Sequence, residues 1–200
     1  MSIQTLTLSV AAVLNYPKLN RPDSFEGGAP EFKTAGIIVD SDKNRAKIGQ
    51  LEELLENFIG QQTGKRLQTQ QFFYENEDGT LELRFKNKVY ARKSDETLFS
   101  MPIGVVDASG KPYGSIEYNA ETNEHAIGVP SIGQGTKAHI SFEARPFKVG
   151  NKVGLSLRMK GIKIVELVEY TGGASFDDDD DDFAEAPNSR QADEGDDDFL

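Results

Sequence analysis

The chain predicts a mainly β body, a compact antiparallel barrel or sandwich with one helix, followed by an acidic tail. Three observations predict it: many short apolar-alternating segments separated by Gly, Asn and Asp turns, a single amphipathic helix pattern, and an abrupt change of charge near residue 171. Twelve of the 33 acidic residues but only one of the 22 basic ones fall in residues 171–200, leaving 21 of each sign before them. The body is therefore neutral, and the net charge of −11 belongs to the tail. The low isoelectric point says nothing against a basic patch on the body.

Residues 1–170 are long enough for one sizeable core, so the expected organisation is one domain over 1–170 and a disordered tail over 171–200. TLTLSVAAVL sets Leu6, Leu8 and Val10 at period two, the mark of a half-buried strand. NYPKLNRPDSFEGGAPEF holds three prolines and two glycines and reads as a loop, after which FKTAGIIVD reads as the second strand. From Ser41 the period changes. Ile48, Leu51, Leu54, Leu55, Phe58 and Ile59 recur at helical spacing behind a Ser/Asp cap, with Gly60 at the exit, which predicts a helix over 43–59 with a core-facing stripe.

The rest reads as strands and tight turns. QFFYE and LELRF flank an Asp78-Gly79 hairpin signal, and MPIGVVD and YGSIEY flank Ala108 to Lys111. AHISFEARPFKV and KVGLSLRMK flank Gly150-Asn151, and IKIVELVEY closes the body. Thr171-Gly172-Gly173 then breaks the last strand.

LELRFKNKVYARK is the most informative stretch. Read as one long strand, it sends Arg84, Lys86, Lys88, Tyr90 and Arg92 to one face, with Lys93 at its end. Cations in file with an aromatic among them suit a groove for single-stranded nucleic acid, where charges neutralise phosphates and a ring stacks on a base. A solvated outer face explains exposed lysines in general, but a structural surface tends to mix signs. KVGLSLRMK repeats the pattern weakly, with Lys152, Gly154, Ser156, Arg158 and Lys160 on one face; Gly154 either admits a nucleic-acid backbone or marks a bulge. At the preceding turn stand Arg145, Phe147 and Lys148, and Phe147 either stacks on a base or caps the core.

Other chemistries are poorly served. Without cysteine there are neither disulfides nor thiolate metal sites, which suits a reducing cytoplasm, and His125 and His139 lack metal-ligand spacing. Gly133 to Thr136 is too short for a phosphate loop, and the Asp run lacks the EF-hand pattern. The expectation is a protein that is not an enzyme, with no cofactor, no metal and no catalytic residue. No transmembrane stretch or signal segment is seen, so a soluble intracellular protein without membrane contact is expected. Whether the body is a monomer or a homodimer is left open.

The tail combines spaced negative charge with Phe176, Phe183 and Phe199, features that imitate single-stranded DNA and would compete for a basic aromatic groove. A solubilising brush is the ordinary role of such a run, but it does not explain the apolar residues after Asp196, Asp197 and Asp198. The rival reading of the whole chain is an acidic-tailed chaperone or virion assembly factor that binds basic proteins.

SFEGGAPEFKTAGIIVD, the helix from Lys43 to Ile59, ISFEARPFKVGNKVGLSLRMKGIKIVEL and the tail together resemble the single-stranded-DNA-binding replication proteins of tailed bacteriophages. The resemblance implies an OB-fold barrel with an inserted helix, DNA held across the barrel face without strong sequence preference, and action in the cytoplasm of an infected bacterium. It also implies that the tail recruits DNA polymerase and helicase-primase, and that some members promote annealing. Carried over, it supports Arg84, Lys86, Lys88, Tyr90 and Arg92 as groove, Phe147 and Lys148 as hairpin contacts, and Asp196, Asp197, Asp198, Phe199 and Leu200 as the partner-binding end. The family's terminal aromatic is here followed by Leu200.

Overall fold

Five long strands carry the architecture of the computed structural model, which describes residues 4–23, 30–62, 66–92, 98–117, 126 and 128–170. They are β1 (Leu6–Asp23), β2 (Glu31–Ile38), β5 (Leu81–Lys88), β10 (Lys137–Val149) and β11 (Lys152–Glu166). Each alternates inward apolar and outward polar residues, so each must bury one face. Hydrogen bonding runs in the order β5-β2-β1-β10-β11, every neighbouring pair antiparallel.

β5 then lies against β11 and closes the sheet on itself. No ladder forms along this seam among the described residues. Instead the buried Asn87 amide donates to Met159 O at 2.9 Å and accepts from Met159 N at 2.8 Å, one side chain standing in for a strand pair. Inside the barrel, the Phe85 and Phe142 rings pack 5.1 Å apart among Phe32, Leu14, Leu83, Ile140 and Met159, all essentially inaccessible.

The helix α1 (Asp42–Gly60) covers the barrel with the predicted stripe: Ile48, Leu51, Leu54 and Leu55 are buried, Phe58 and Ile59 partly so. Ser41 caps it by accepting from Asn44 N. Asn44 is itself buried, donating to Ala11 O at 3.0 Å and Val39 O at 2.8 Å, which fixes the helix to β1. No helix among the described residues is long and apolar enough to cross a membrane.

Short strands complete the sheet. β3 (Gln68–Thr69) and β8 (Ile103–Val106) each join β11 in parallel, β9 (Pro112–Ile116) pairs with β8, and β4 (Phe73–Glu75) pairs with β5. The sheet is therefore mixed at its margins rather than wholly antiparallel. β6 (Tyr90–Arg92) and β7 (Leu98–Ser100) form a separate two-stranded sheet.

Two boundaries differ from the sequence expectation. Asn15 to Asp23, expected as loop, continues β1, because its prolines fall where the register with β2 shifts, between Asn15 and Lys18 and again before Asp23. At such bulges a missing N–H costs no ladder bond. KVGLSLRMK and IKIVEL form the single strand β11, with a register shift that skips Lys160 opposite Ser141 and Phe142. The expected Asp78-Gly79 hairpin is present, with Gly79 at φ 79° and its N–H donating to Asn76 O at 2.9 Å.

Candidate nucleic-acid interface

Along β5 the alternation holds: Leu83, Phe85 and Asn87 are buried while Arg84, Lys86 and Lys88 are exposed. The single long strand does not. A bend at Val89, which is buried, ends β5, and Tyr90 and Arg92 belong to the two-stranded sheet. The expected file of five on one face is therefore broken after Lys88, and Tyr90 packs half-buried against the core. Lys93, the FEGG segment and the acidic tail lie outside the described residues.

What replaces that file runs across the strands. Lys18 of β1 is opposite Lys33 of β2, and Lys33 is opposite Lys86 of β5. Directly opposed residues point to the same side of a sheet, so three ammonium groups form a row across adjacent strands, where like charges repel. Only the central one is compensated, Lys33 Nζ lying 3.2 Å from Asp23 and 3.8 Å from Glu31. Lys18 and Lys86 make no ion pair among the described residues.

Around this row lies a concave groove of about 290 Å³, bounded by β2 and β5 on one side and by Leu155, Ser156 and Leu157 of β11 on the other. Arg84 lines it with its guanidinium 4.0 Å from the centre of the Tyr74 ring, steered by Nε donating to Glu82 Oε1 at 3.1 Å. The second Glu82 oxygen accepts from Asn15 Nδ2 at 3.3 Å. Opposite them Tyr16 is 71% exposed at φ 46°, a left-handed conformation unusual for a bulky residue, imposed by the β1 bulge. The groove thus holds two exposed aromatics and several cations, the elements a phosphate and base chain requires.

At the β10–β11 hairpin the structure shows how Phe147 and Gly154 fit together. Phe147 lies over Gly154, its registered partner; a Cβ there would stand 3.0 Å from the ring, so the glycine makes room for Phe147. Arg145, Lys148 and Lys152 are exposed near the hairpin tip. Lys160 pairs with Glu143 at 3.4 Å, and half-buried Arg158, opposite Glu143, leaves its Nε without a hydrogen-bond partner among the described residues.

Tyr16, Lys18, Lys33 and Tyr74 were not singled out from the sequence. Lys33 was within reach, since FKTAGI alternates. Tyr16 and Lys18 were hidden by the prolines that made their segment read as loop.

No family model matches the chain. Its sequence is 33% identical over 107 residues to the single-stranded DNA-binding protein of Escherichia phage T7, and equally to that of Enterobacteria phage T3, over 50% of this chain and 39% of each relative. The matched stretch thus spans about two fifths of the length of these relatives. In fold it is similar to the crystal structure of the bacteriophage T7 single-stranded DNA binding protein, with a TM-score of 0.61 at 18% identity, covering 88% of this chain and 99% of that one. The chain resembles the phage single-stranded-DNA-binding proteins in sequence and fold. The bacteriophage Enc34 single-stranded DNA-binding protein, solved in complex with single-stranded DNA, superposes with a TM-score of 0.53 at 12% identity over 84% of this chain and 89% of that one. The expected OB-fold barrel with one helix is therefore the fold of this chain, as in these phage single-stranded-DNA-binding proteins.

Proposed function

We propose that this protein binds single-stranded DNA without strong sequence preference and without catalysis, coating and protecting it during phage DNA replication and recombination. The observation that carries the reading is one outer surface on which Lys33, Lys86 and Arg84 line the groove with Tyr16 and Tyr74, while Lys18 continues the lysine row past its edge. Phosphates meet the cations, while bases stack on Tyr16 and on the flat platform of Arg84 over Tyr74. Stacking tolerates any base, because every base has a π-face. The names of the T7 and T3 relatives and the DNA-bound Enc34 neighbour support it. The acidic tail competes for this groove when no DNA is bound and, once displaced, recruits DNA polymerase and helicase-primase. The setting that follows is the cytoplasm of an infected bacterium.

The test is fluorescence anisotropy of a labelled oligo-dT titrated with the full chain across salt concentrations. Four cations, Lys33, Lys86 and Arg84 in the groove and Lys18 beside it, predict a log–log salt slope of about −3 for a single strand. A flat slope overturns the electrostatic groove. Absence of binding at low salt overturns the function and favours the acidic-tailed chaperone.

A further inference from the structure

A second concave site, of about 260 Å³, begins where the groove ends. Tyr16 lines the groove, and the next two residues, Pro17 and Lys18, line this site together with Arg21, Ser131 and Tyr170. Its floor is fixed by hydrogen bonds. Asn20 donates to Pro130 O and accepts from Ile132 N, both at 2.9 Å, while Tyr170 N donates to Ser131 O and Ser131 Oγ to Tyr170 O, both at 3.1 Å. These bonds hold the backbone of Tyr170 and leave the residue 63% exposed. Lys18 and Arg21 are exposed, and neither makes an ion pair among the described residues.

The pairing of two cations with a held, exposed ring repeats the composition of the groove. Lys18 joins the two sites, because it ends the lysine row that crosses β2 and β5. Strands lie about 4.8 Å apart, so the row from Lys86 to Lys18 spans about 10 Å, within the reach of two or three phosphates of an extended strand. We propose that the nucleic-acid track continues over β1 into this site, which takes one further nucleotide: its phosphate on Lys18 and Arg21, its base on Tyr170. The inference rests on the groove being a single-stranded-DNA site, and it extends that site beyond the barrel face.

The test uses the full chain, its Tyr170→Ala and Arg21→Ala variants, and Tyr113→Ala as a control on an exposed ring that lines neither site. Each is titrated with oligo-dT of about four nucleotides, enough to fill the groove, and of about eight, within the range covered by one OB fold. Tyr170→Ala is expected to bind the short strand within about twofold of the parent and the long strand about 5- to 100-fold more weakly. Arg21→Ala is expected to make the salt slope on the long strand shallower by about 0.7. Tyr113→Ala should change neither. Equal losses at both lengths, as expected of an acidic-peptide site or a general defect, or no loss at either, overturn the extension and leave the groove standing. A parent chain that binds neither strand overturns both.

Discussion

The amide of Asn87 satisfies both backbone groups of Met159 at a seam where β5 and β11 form no ladder, and it is buried with only 3% of its surface accessible. Replacing it by Leu keeps the branched shape but leaves a buried N–H and a buried C=O unpaired, each costing about 1 to 3 kcal/mol. Asn87→Leu is therefore expected to lower stability by about 2 to 5 kcal/mol, read as a fall in the urea midpoint with little change in slope. Lys86 acts in the opposite sense. It stands opposite Lys33 without a counter-ion among the described residues, so Lys86→Ala should stabilise the fold by a few tenths to about 1 kcal/mol. The same change should weaken oligo-dT binding and make its salt slope shallower by about 0.7. A gain in stability with a loss of binding is the signature of a residue kept for its ligand; a loss of both would make Lys86 structural. Tyr16, a non-glycine residue held at φ 46° at the groove edge, is expected to follow the same pattern.

At the scale of elements, the two Asp turns that join β4 to β5 and β8 to β9 share one device. Asp78 Oδ1 accepts from Thr80 N at 2.9 Å and Thr80 Oγ1 at 2.6 Å, and Asp107 Oδ1 from Ser109 N at 2.8 Å and Ser109 Oγ at 2.6 Å. The hydroxyl of Thr80 first, then its N–H, holds the Asp78 carboxyl below the ordinary value of 3.8, and the Ser109 hydroxyl and Lys111 N–H do the same for Asp107. A depressed carboxylate contributes stability above its unfolded pKa and loses it as pH falls through the folded one. Thermal midpoints are therefore expected to be flat in this respect above about pH 4 and to fall below it, with the fall reduced in an Asp78→Asn, Asp107→Asn double variant. Such turns were legible in the sequence because Asp, Gly and Ser act through their immediate neighbours. So was the helix, whose period is local. The ends of β1 and β5 were not. Pro17 reads as a breaker until the bulge against β2 is known, and Val89 reads as mid-strand until it is seen buried at a bend. For the same reason Arg84, Lys86 and Lys88 could be read along their strand, whereas the row from Lys18 to Lys86 depends on strand order and register, which no single segment carries.

The whole molecule turns on how charge is distributed. The body sums to zero, yet Glu52, Glu53 and Glu56 stand exposed on α1 while cations gather across β1, β2 and β5. A neutral total therefore hides a cationic surface that an acidic segment of the same chain can meet. Residues 171–200 carry twelve acids and one base. Tethering alone would set a local concentration of about millimolar for such a segment at the groove. A contact too weak to matter between separate molecules would then occupy the groove for much of the time. Replacing Asp177 to Asp182 by Asn in the full chain removes six charges and shifts the net charge from −11 to −5. This variant is expected to bind oligo-dT about tenfold more tightly at low salt, since an intramolecular competitor lowers affinity by the fraction of time it fills the site. Raising salt should close the gap, because at 1 M the screening length is about 3 Å and both tail and DNA lose their hold. Equal affinity of the two proteins at low salt would separate tail from groove, making the acidic run a solubilising brush whose role lies away from DNA.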